Sequence, residues 1–420
     1  MKQQENQLTR WPGLASIWIG GMISIPSLLI GSTLIDGLSF YQAILGGLMG
    51  IGFVVVYMCL ESIAATRFRL NTVQLARSSF GQKGGPLLIG LIVGLATMGW
   101  FGVQTNIAGI SFSKLIAETF SYELPEAISS CFWGVVMLLT AVYGFRFMKW
   151  LNYLAAPAIL FLMIYGLTVS FQEKGFDTIV SFQPDQPMGL LTAIGLAIGF
   201  VSVGGVISPD INRFAKTEKD AVWGSILGLI PGGILLLTVG AMLSILQGTH
   251  DITEIFSRLG YPVLALSILI LATWTTNVIN AYSGGLAVNQ MLNLPEDKRP
   301  ISTLIAGAIG TGLAVMGIMN HFIGFLMILT TTIPPIAGVL IGDLWLAKSF
   351  DFKKNTSFNF TGFVAWGAGV LIMVLLEDPV KNLLSIFISA IAFWIMNLLF
   401  GPEKQTENQL VDGDQKVNVS

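Results

Sequence analysis

Trp100 and Gln104 stand four residues apart in an apolar run. On a helix that spacing sets an indole face and a primary amide on one side. Such a pair suits a flat heterocycle, stacked on the ring and hydrogen-bonded at its edge. Phe200, in another apolar run, is a candidate for the opposite wall, with Ser202 two residues on as a further substrate group. A third polar stretch, 273–282, reads TWTTNVINAY. Thr273, Thr276, Asn277 and Asn280 share one helical face there. Thr275 and Thr276 are adjacent hydroxyls, a hard-oxygen pair for a small cation such as sodium if free backbone carbonyls join them. Asn277 or Asn280 offers a solute both a donor and an acceptor. Each of these residues taken singly serves equally well as glue between helices, worth under about 2 kcal/mol. The cluster as a whole favours a binding site.

Free carbonyls at membrane depth require a broken helix, because bare peptide groups in lipid cost several kcal/mol each. Two runs have the marks of one. Residues 13–35 carry Gly20, Gly21, Pro26 and Gly31, with Ser24 and Ser27 between them. Pro26 has no N–H, so the Met22 carbonyl loses its helical partner. Residues 200–214, FVSVGGVISPDINRF, carry Gly204 and Gly205 and then Pro209. Pro26, Gly31, Gly204 and Gly205 are the expected hinges. Backbone carbonyls freed in the first run would join Thr275 and Thr276 in a site for a small cation. The competing reading of these glycines is close helix packing.

The elements that must hold these groups are membrane helices. The 420 residues are 53% hydrophobic and 11% charged, with a mean hydropathy of +0.74. Soluble domains carry roughly twice that charge. At about 20 apolar residues per crossing, twelve spans are expected: 13–35, 41–63, 86–110, 127–147, 151–171, 189–209, 221–246, 261–288, 301–319, 322–342, 361–376 and 380–400. With the N-terminus inside, eighteen of the 22 lysines and arginines fall in inner segments. Four, Lys114, Lys174, Arg258 and Lys381, fall outside. That asymmetry places both termini in the cytoplasm and the protein in the cell membrane as a multi-pass chain. The first run reads as an uncleaved span, not a signal peptide.

Spans one and six begin two five-span halves on opposite sides of the membrane. The expected architecture is therefore an all-α integral membrane protein with a LeuT-type 5+5 inverted repeat, helices one and six broken, and two C-terminal helices appended. Its parts are a cytoplasmic segment 1–12, a core 13–342 with repeats at 13–171 and 189–342, spans eleven and twelve within 361–400, and a disordered tail 401–420. The basic loop 67–84 reads as an interfacial helix or an ordinary inner loop.

Little charge lies within any span. Glu61, Asp210 and Asp343 fall near inner ends, where capping or ion pairing explains them. A neutral solute is implied, with any coupling cation held by carbonyls and hydroxyls. Cys59 and Cys131 lack disulfide or metal spacing, and His250 and His321 lie in outer loops. No nucleophile elbow, phosphate loop or carboxylate pair appears, so no enzyme chemistry and no cofactor is expected. No nucleic acid and no obligate protein partner is implied beyond solute and lipid bilayer.

Five stretches together resemble the nucleobase–cation symporter family, and within it the bacterial cytosine permeases. They are LNTVQLARSSFG (70–81), GWFGVQ (99–104), SPDINRFAKT (208–217), WTTN (274–277) and NHFIGFLMILTTTIPPIAGVLIGDLW (320–345). The resemblance implies a LeuT-type fold and uptake of a nucleobase or related heterocycle by alternating access. It implies Trp100 as the stacking aromatic, Gln104 where a hydantoin-transporting relative uses glutamine, and Phe200 as second aromatic across a one-residue offset. It further implies Thr275 and Thr276 as sodium-site hydroxyls, Asn277 as a substrate amide, and the region of Ser24 and Ser27, mainly through its backbone, as completing the sodium site. The chain departs from the cytosine permeases at Ile279, where they carry a second Asn, and at Gln104, where they carry Gly. Cytosine, purines, hydantoins and a thiamine-precursor pyrimidine stay open. So do proton coupling through Glu61 or Asp210, and an amino-acid carrier of the same fold. A receptor that binds without transport would call for a long signalling region, and 18 residues follow Pro402.

Overall fold

The computed structural model of the chain describes residues 8–143, 145–351, 356–377 and 380–400. Among these, regular structure is helical, apart from one isolated bridge between Thr9 and Ala215. The tail 401–420 and residues 1–7 lie outside the described residues.

The first apolar run folds as α1 (Trp11–Met22) and α2 (Ile25–Ile35), bent by 61°. The cause is local. Pro26 cannot donate to the preceding turn, and Ser24 is extended, with φ −151° and ψ 160°. Ser27 Oγ donates to the freed Met22 carbonyl at 2.5 Å, and the Ser24 N–H reaches the same oxygen at 2.8 Å. Gly31 differs from its expected role as a hinge, for it sits inside α2. Any side chain there would strike the Leu237 carbonyl, so this glycine sets how closely two helices approach.

The next helices are α3 (Phe40–Phe68), α4 (Thr72–Phe80) and α5 (Gly84–Phe120). Asn71 and Gln74 cap α4 reciprocally, each side chain accepting from the other's backbone N–H at 2.8 and 2.9 Å. This helix is not a free interfacial element. Leu75, Ala76 and Phe80 are buried, and Ser78 and Ser79 donate to Asp343 Oδ2 at 2.6 and 2.8 Å. At its start the Thr72 N–H donates to Asp210 Oδ1 at 2.9 Å. Asp210 and Asp343 thus dock α4 onto two other elements. Glu61 on α3 behaves otherwise: it is fully buried, and neither carboxyl oxygen has a hydrogen-bond partner among the described residues.

After α6 (Glu126–Tyr143), α7 (Phe145–Glu173) and α8 (Phe176–Ser181), the second glycine-rich run forms α9 (Leu190–Val206) and α10 (Ser208–Asn212). Gly204 and Gly205 lie within α9, and the interruption falls at Ile207, φ −84° and ψ 3°. Pro209 is the reason, since it lacks the N–H that would continue the ladder and its ring crowds the preceding turn. The glycine pair therefore differs from its expected hinge role. Gly205 packs against Tyr57, where a side chain would collide.

The remaining elements are α11 (Glu218–Gln247), α12 (Ile252–Ser257), α13 (Pro262–Met291), α14 (Arg299–Val315), α15 (Phe322–Thr332) and α16 (Pro334–Ile341). A π-helical turn, Gly342–Ala347, leads on to α17 (Phe360–Leu375) and α18 (Lys381–Phe400). By length and composition, seven helices among the described residues could cross a membrane, or eight if the bent pair is one span. Four shorter apolar helices accompany them. α5 and α13 share the most extensive helix contact, α9 packs on α3 and α15, and α11 packs on α1, α2 and α3. The candidate site lies where these groups meet.

Candidate functional site

A cavity of about 240 Å³ lies among α1, α5, α9, α11 and α13, at the break between α1 and α2. Of the residues singled out by sequence, Trp100, Gln104, Phe200, Gly204, Ser24, Pro26, Thr276 and Asn280 line it. The i, i+4 pair on α5 does place its two groups together. Gln104 is almost wholly buried, and its Oε1 has no hydrogen-bond partner among the described residues. A buried amide oxygen left bare costs about 1–3 kcal/mol, so this one is either stored strain or an acceptor awaiting a solute.

Trp100 is held from several sides. The rings of Phe200, Phe322 and Phe325 meet it edge-on at 5.9, 6.0 and 5.3 Å between centroids. Phe200 is therefore not yet a parallel wall: its plane lies 75° from the indole. A solute stacked between two parallel rings needs about 7 Å, two van der Waals contacts deep, so Phe200 must turn to admit one. Phe322 also lines a second cavity of about 370 Å³ with His250, His321 and Asp36. Its ring stands between that cavity and Trp100.

The span-eight cluster divides. Thr276 and Asn280, one turn apart on α13, face the cavity. Asn277 is fully buried against α5 and α6, its Nδ2 donating to the Phe101 carbonyl at 3.0 Å, Thr105 Oγ1 at 2.8 Å and Met137 Sδ at 3.2 Å. Thr275 is buried with its hydroxyl on the Ala272 carbonyl at 2.8 Å. Ser202 is buried too, donating to the Gly199 carbonyl at 3.1 Å. None of these three lines the cavity, since each lies on a helix side packed against protein.

Near the break the oxygens are better placed for a cation. Ser27 Oγ lies 3.3 Å from Ser24 Oγ, and Ser24 lines the cavity with Gly21. Among the described residues, no backbone N–H is donated to the Gly20 or Gly21 carbonyl. Unwound carbonyls beside hydroxyls form the neutral hard-oxygen set that a monovalent cation takes.

Sequence reasoning missed three contributors on α1. Trp18, Gly21 and Met22 line the cavity, and their spacing of three and four residues marks one helical face. It also missed Asn212, a buried hub whose Oδ1 accepts from Trp18 Nε1 at 3.3 Å. Its Nδ2 donates to Ser62 Oγ and Ser225 Oγ at 2.6 and 2.9 Å. No local pattern announces that role, because its partners come from three other helices.

A family model for permeases of cytosine/purines, uracil, thiamine and allantoin matches residues 1–390. The chain belongs to this family. Cytosine permease of Escherichia coli (strain K12) is 29% identical over 362 residues, covering 85% of this chain and 84% of that one. Hydantoin permease of Microbacterium maritypicum is 26% identical over 390 residues, covering 85% and 77%. Among solved structures, the inward-facing conformation of Mhp1 matches with a TM-score of 0.78 at 19% identity, over 96% of this chain and 93% of that one. The closed conformation of Mhp1 with bromovinylhydantoin bound gives 0.74 at 18%, over 93% and 92%. A Na+-coupled sialic acid symporter gives 0.64 at 11%, over 94% and 91%. The fold is thus that of Mhp1, and the family is one of membrane permeases, not enzymes.

Proposed function

We propose that this protein takes up a neutral, planar nitrogen heterocycle by alternating access, coupled to sodium, with Trp100 and Gln104 as the first contacts. One observation carries this reading: Gln104, whose buried amide oxygen has no hydrogen-bond partner among the described residues, lines a cavity among the helices together with the indole of Trp100. The heterocycle stacks on Trp100, Phe200 turns to cover it, and Asn280 reads its edge from α13. Ser24 and Thr276, with the Gly20 and Gly21 carbonyls, take the sodium ion. Ser27 supports this set through Met22, and Thr275 supports it from the adjacent turn.

The bent pair, the seven long helices and the four shorter apolar ones together support twelve spans, an even number that leaves both termini on one side, and the excess of lysine and arginine in the inner segments favours the cytoplasm. The inverted repeat, 13–171 against 189–342, is supported by a shared pattern. In each half a glycine pair is followed by a break and then a proline, at Gly20, Gly21 and Pro26 and at Gly204, Gly205 and Pro209. Alternating access then moves the two broken helices, one from each half, against α5 and α13.

Proton coupling is a second reading, favoured by Glu61. A carboxyl fully buried in a spanning helix without a partner is a candidate proton carrier. Competition uptake in cells expressing the protein separates these readings. Uracil, cytosine, hypoxanthine, hydantoin, hydroxymethylpyrimidine and amino acids would be compared, with sodium present or replaced by choline at fixed pH. The proposal expects one heterocycle to compete saturably and sodium removal to weaken it. Stronger competition by amino acids would contradict the heterocycle. Sodium-independent uptake lost in Glu61→Gln would contradict the sodium.

A further inference from the structure

We propose that Asn277 is a positioning residue: it fixes the neighbouring Asn280 so that Asn280 offers the solute its carbonyl oxygen, making the α13 wall a reader of hydrogen-bond donors. The inference rests on the heterocycle reading of this cavity. It begins with the one partner of Asn277 that leaves no choice. The Phe101 carbonyl can only accept, so the atom 3.0 Å from it must be the amide nitrogen of Asn277. The same nitrogen serves Thr105 Oγ1 and Met137 Sδ, which commits both of its hydrogens on the α5 and α6 side. The Asn277 oxygen is thereby turned the other way, toward Asn280. There it accepts from Asn280 Nδ2 at 3.4 Å. Facing an acceptor, Asn280 must present its nitrogen, and its Oδ1 accepts from no group among the described residues. Asn280 lines the cavity; Asn277 does not.

Hydroxyl bookkeeping gives neighbouring groups the same polarity. Thr276 donates its single hydrogen to the Ala272 carbonyl, which leaves lone pairs for the cavity. Ser27 donates to the Met22 carbonyl, so in the Ser24–Ser27 contact the hydrogen comes from Ser24, whose lone pairs are likewise left over. This wall therefore selects a heterocycle that points a ring N–H or exocyclic amino group at Asn280, and disfavours one bearing a bare ring nitrogen, carbonyl or methylated nitrogen there.

The test uses pairs of probes. Uracil, cytosine and hydantoin, and the mono-N-methyl derivatives of each, compete for uptake of whichever labelled parent the wild type takes up. The readout is the ratio of inhibition constants, methylated over parent, which does not depend on protein level. In the wild type at least one methylation position should weaken competition tenfold or more. Asn280→Ala and Asn277→Leu should each bring that ratio down about tenfold, with uptake of the parent retained in Asn277→Leu. A wild-type ratio in Asn277→Leu overturns the inference, as does equal loss of parent and methylated probes at normal membrane level, which would mean direct contact. If Asn277→Leu fails to reach the membrane, Thr105→Val, which removes one anchor of Asn277, must lower the same ratio; an unchanged ratio overturns the inference. A wild type that takes up a parent but ignores methylation at every position overturns this inference alone. One that takes up no parent, hypoxanthine and hydroxymethylpyrimidine included, overturns the heterocycle reading and this inference with it.

Discussion

Gln104 combines two properties that a packing residue does not need together: its oxygen is buried, and that oxygen accepts no hydrogen bond among the described residues. Its energetics should therefore run opposite to those of a structural amide. Gln104→Met keeps the volume and removes the bare acceptor, so thermal unfolding in detergent should stay at or above the wild-type temperature. The same change should weaken competition by the transported heterocycle roughly tenfold or more, the value of one well-placed hydrogen bond. A loss of both would return Gln104 to the scaffold. The pairing with Trp100 was legible from sequence because i and i+4 on one helix face the same way whatever surrounds them. The fates of Asn277 and Asn280 were not. Both carry the same side chain three residues apart, and only the lie of α13 against Phe101 and Thr105 decides which of them sees the cavity.

At the scale of elements, the two interrupted helices illustrate what local sequence can and cannot give. Prolines break a hydrogen-bond ladder through a missing N–H, a purely local cause, and Pro26 and Pro209 each lie just beyond a break. The glycines beside them looked like hinges, yet Gly31 and Gly205 are spacers for Leu237 and Tyr57, partners far away in the chain. The first break is held by Ser27, whose hydroxyl replaces the donor that Pro26 lacks. Ser27→Ala should cost about 1 kcal/mol of stability and should also loosen Ser24, raising the sodium concentration needed for half-maximal uptake. Unchanged sodium dependence would detach this hydroxyl from the ion. A second device is the clamp of Asp343 on Ser78, Ser79 and Ser349, the last at 2.7 Å. Asp343→Ala strands three buried or half-buried hydroxyls, and the loss should be on the order of 3 kcal/mol, against about 1 for Ser78→Ala. Unfolding in detergent checks both. The docking of α4 was not legible in its local pattern, because its serines find their partner some 265 positions away.

For the whole molecule, hydropathy and the distribution of lysine and arginine made the membrane class legible, since lipid imposes its length and charge rules on every span separately. The cavity's shape was less so, because it depends on how α1, α5, α9, α11 and α13 converge. The broken helices with Pro26 and Pro209 pack on α3 and α11 while α5 and α13 hold the Trp100 side. On the proposed reading the solute site lies between these broken helices and α5 and α13, which predicts that ion and solute bind to each other's advantage. The most direct measurement is uptake of the heterocycle identified by competition into proteoliposomes of the purified protein, with an imposed sodium gradient and with the gradient absent. The account predicts saturable accumulation driven by inward sodium, lost in Trp100→Ala and greatly reduced in Gln104→Met. Equal accumulation without the gradient, or no saturable flux of any heterocycle through a protein that is folded and inserted, would contradict it.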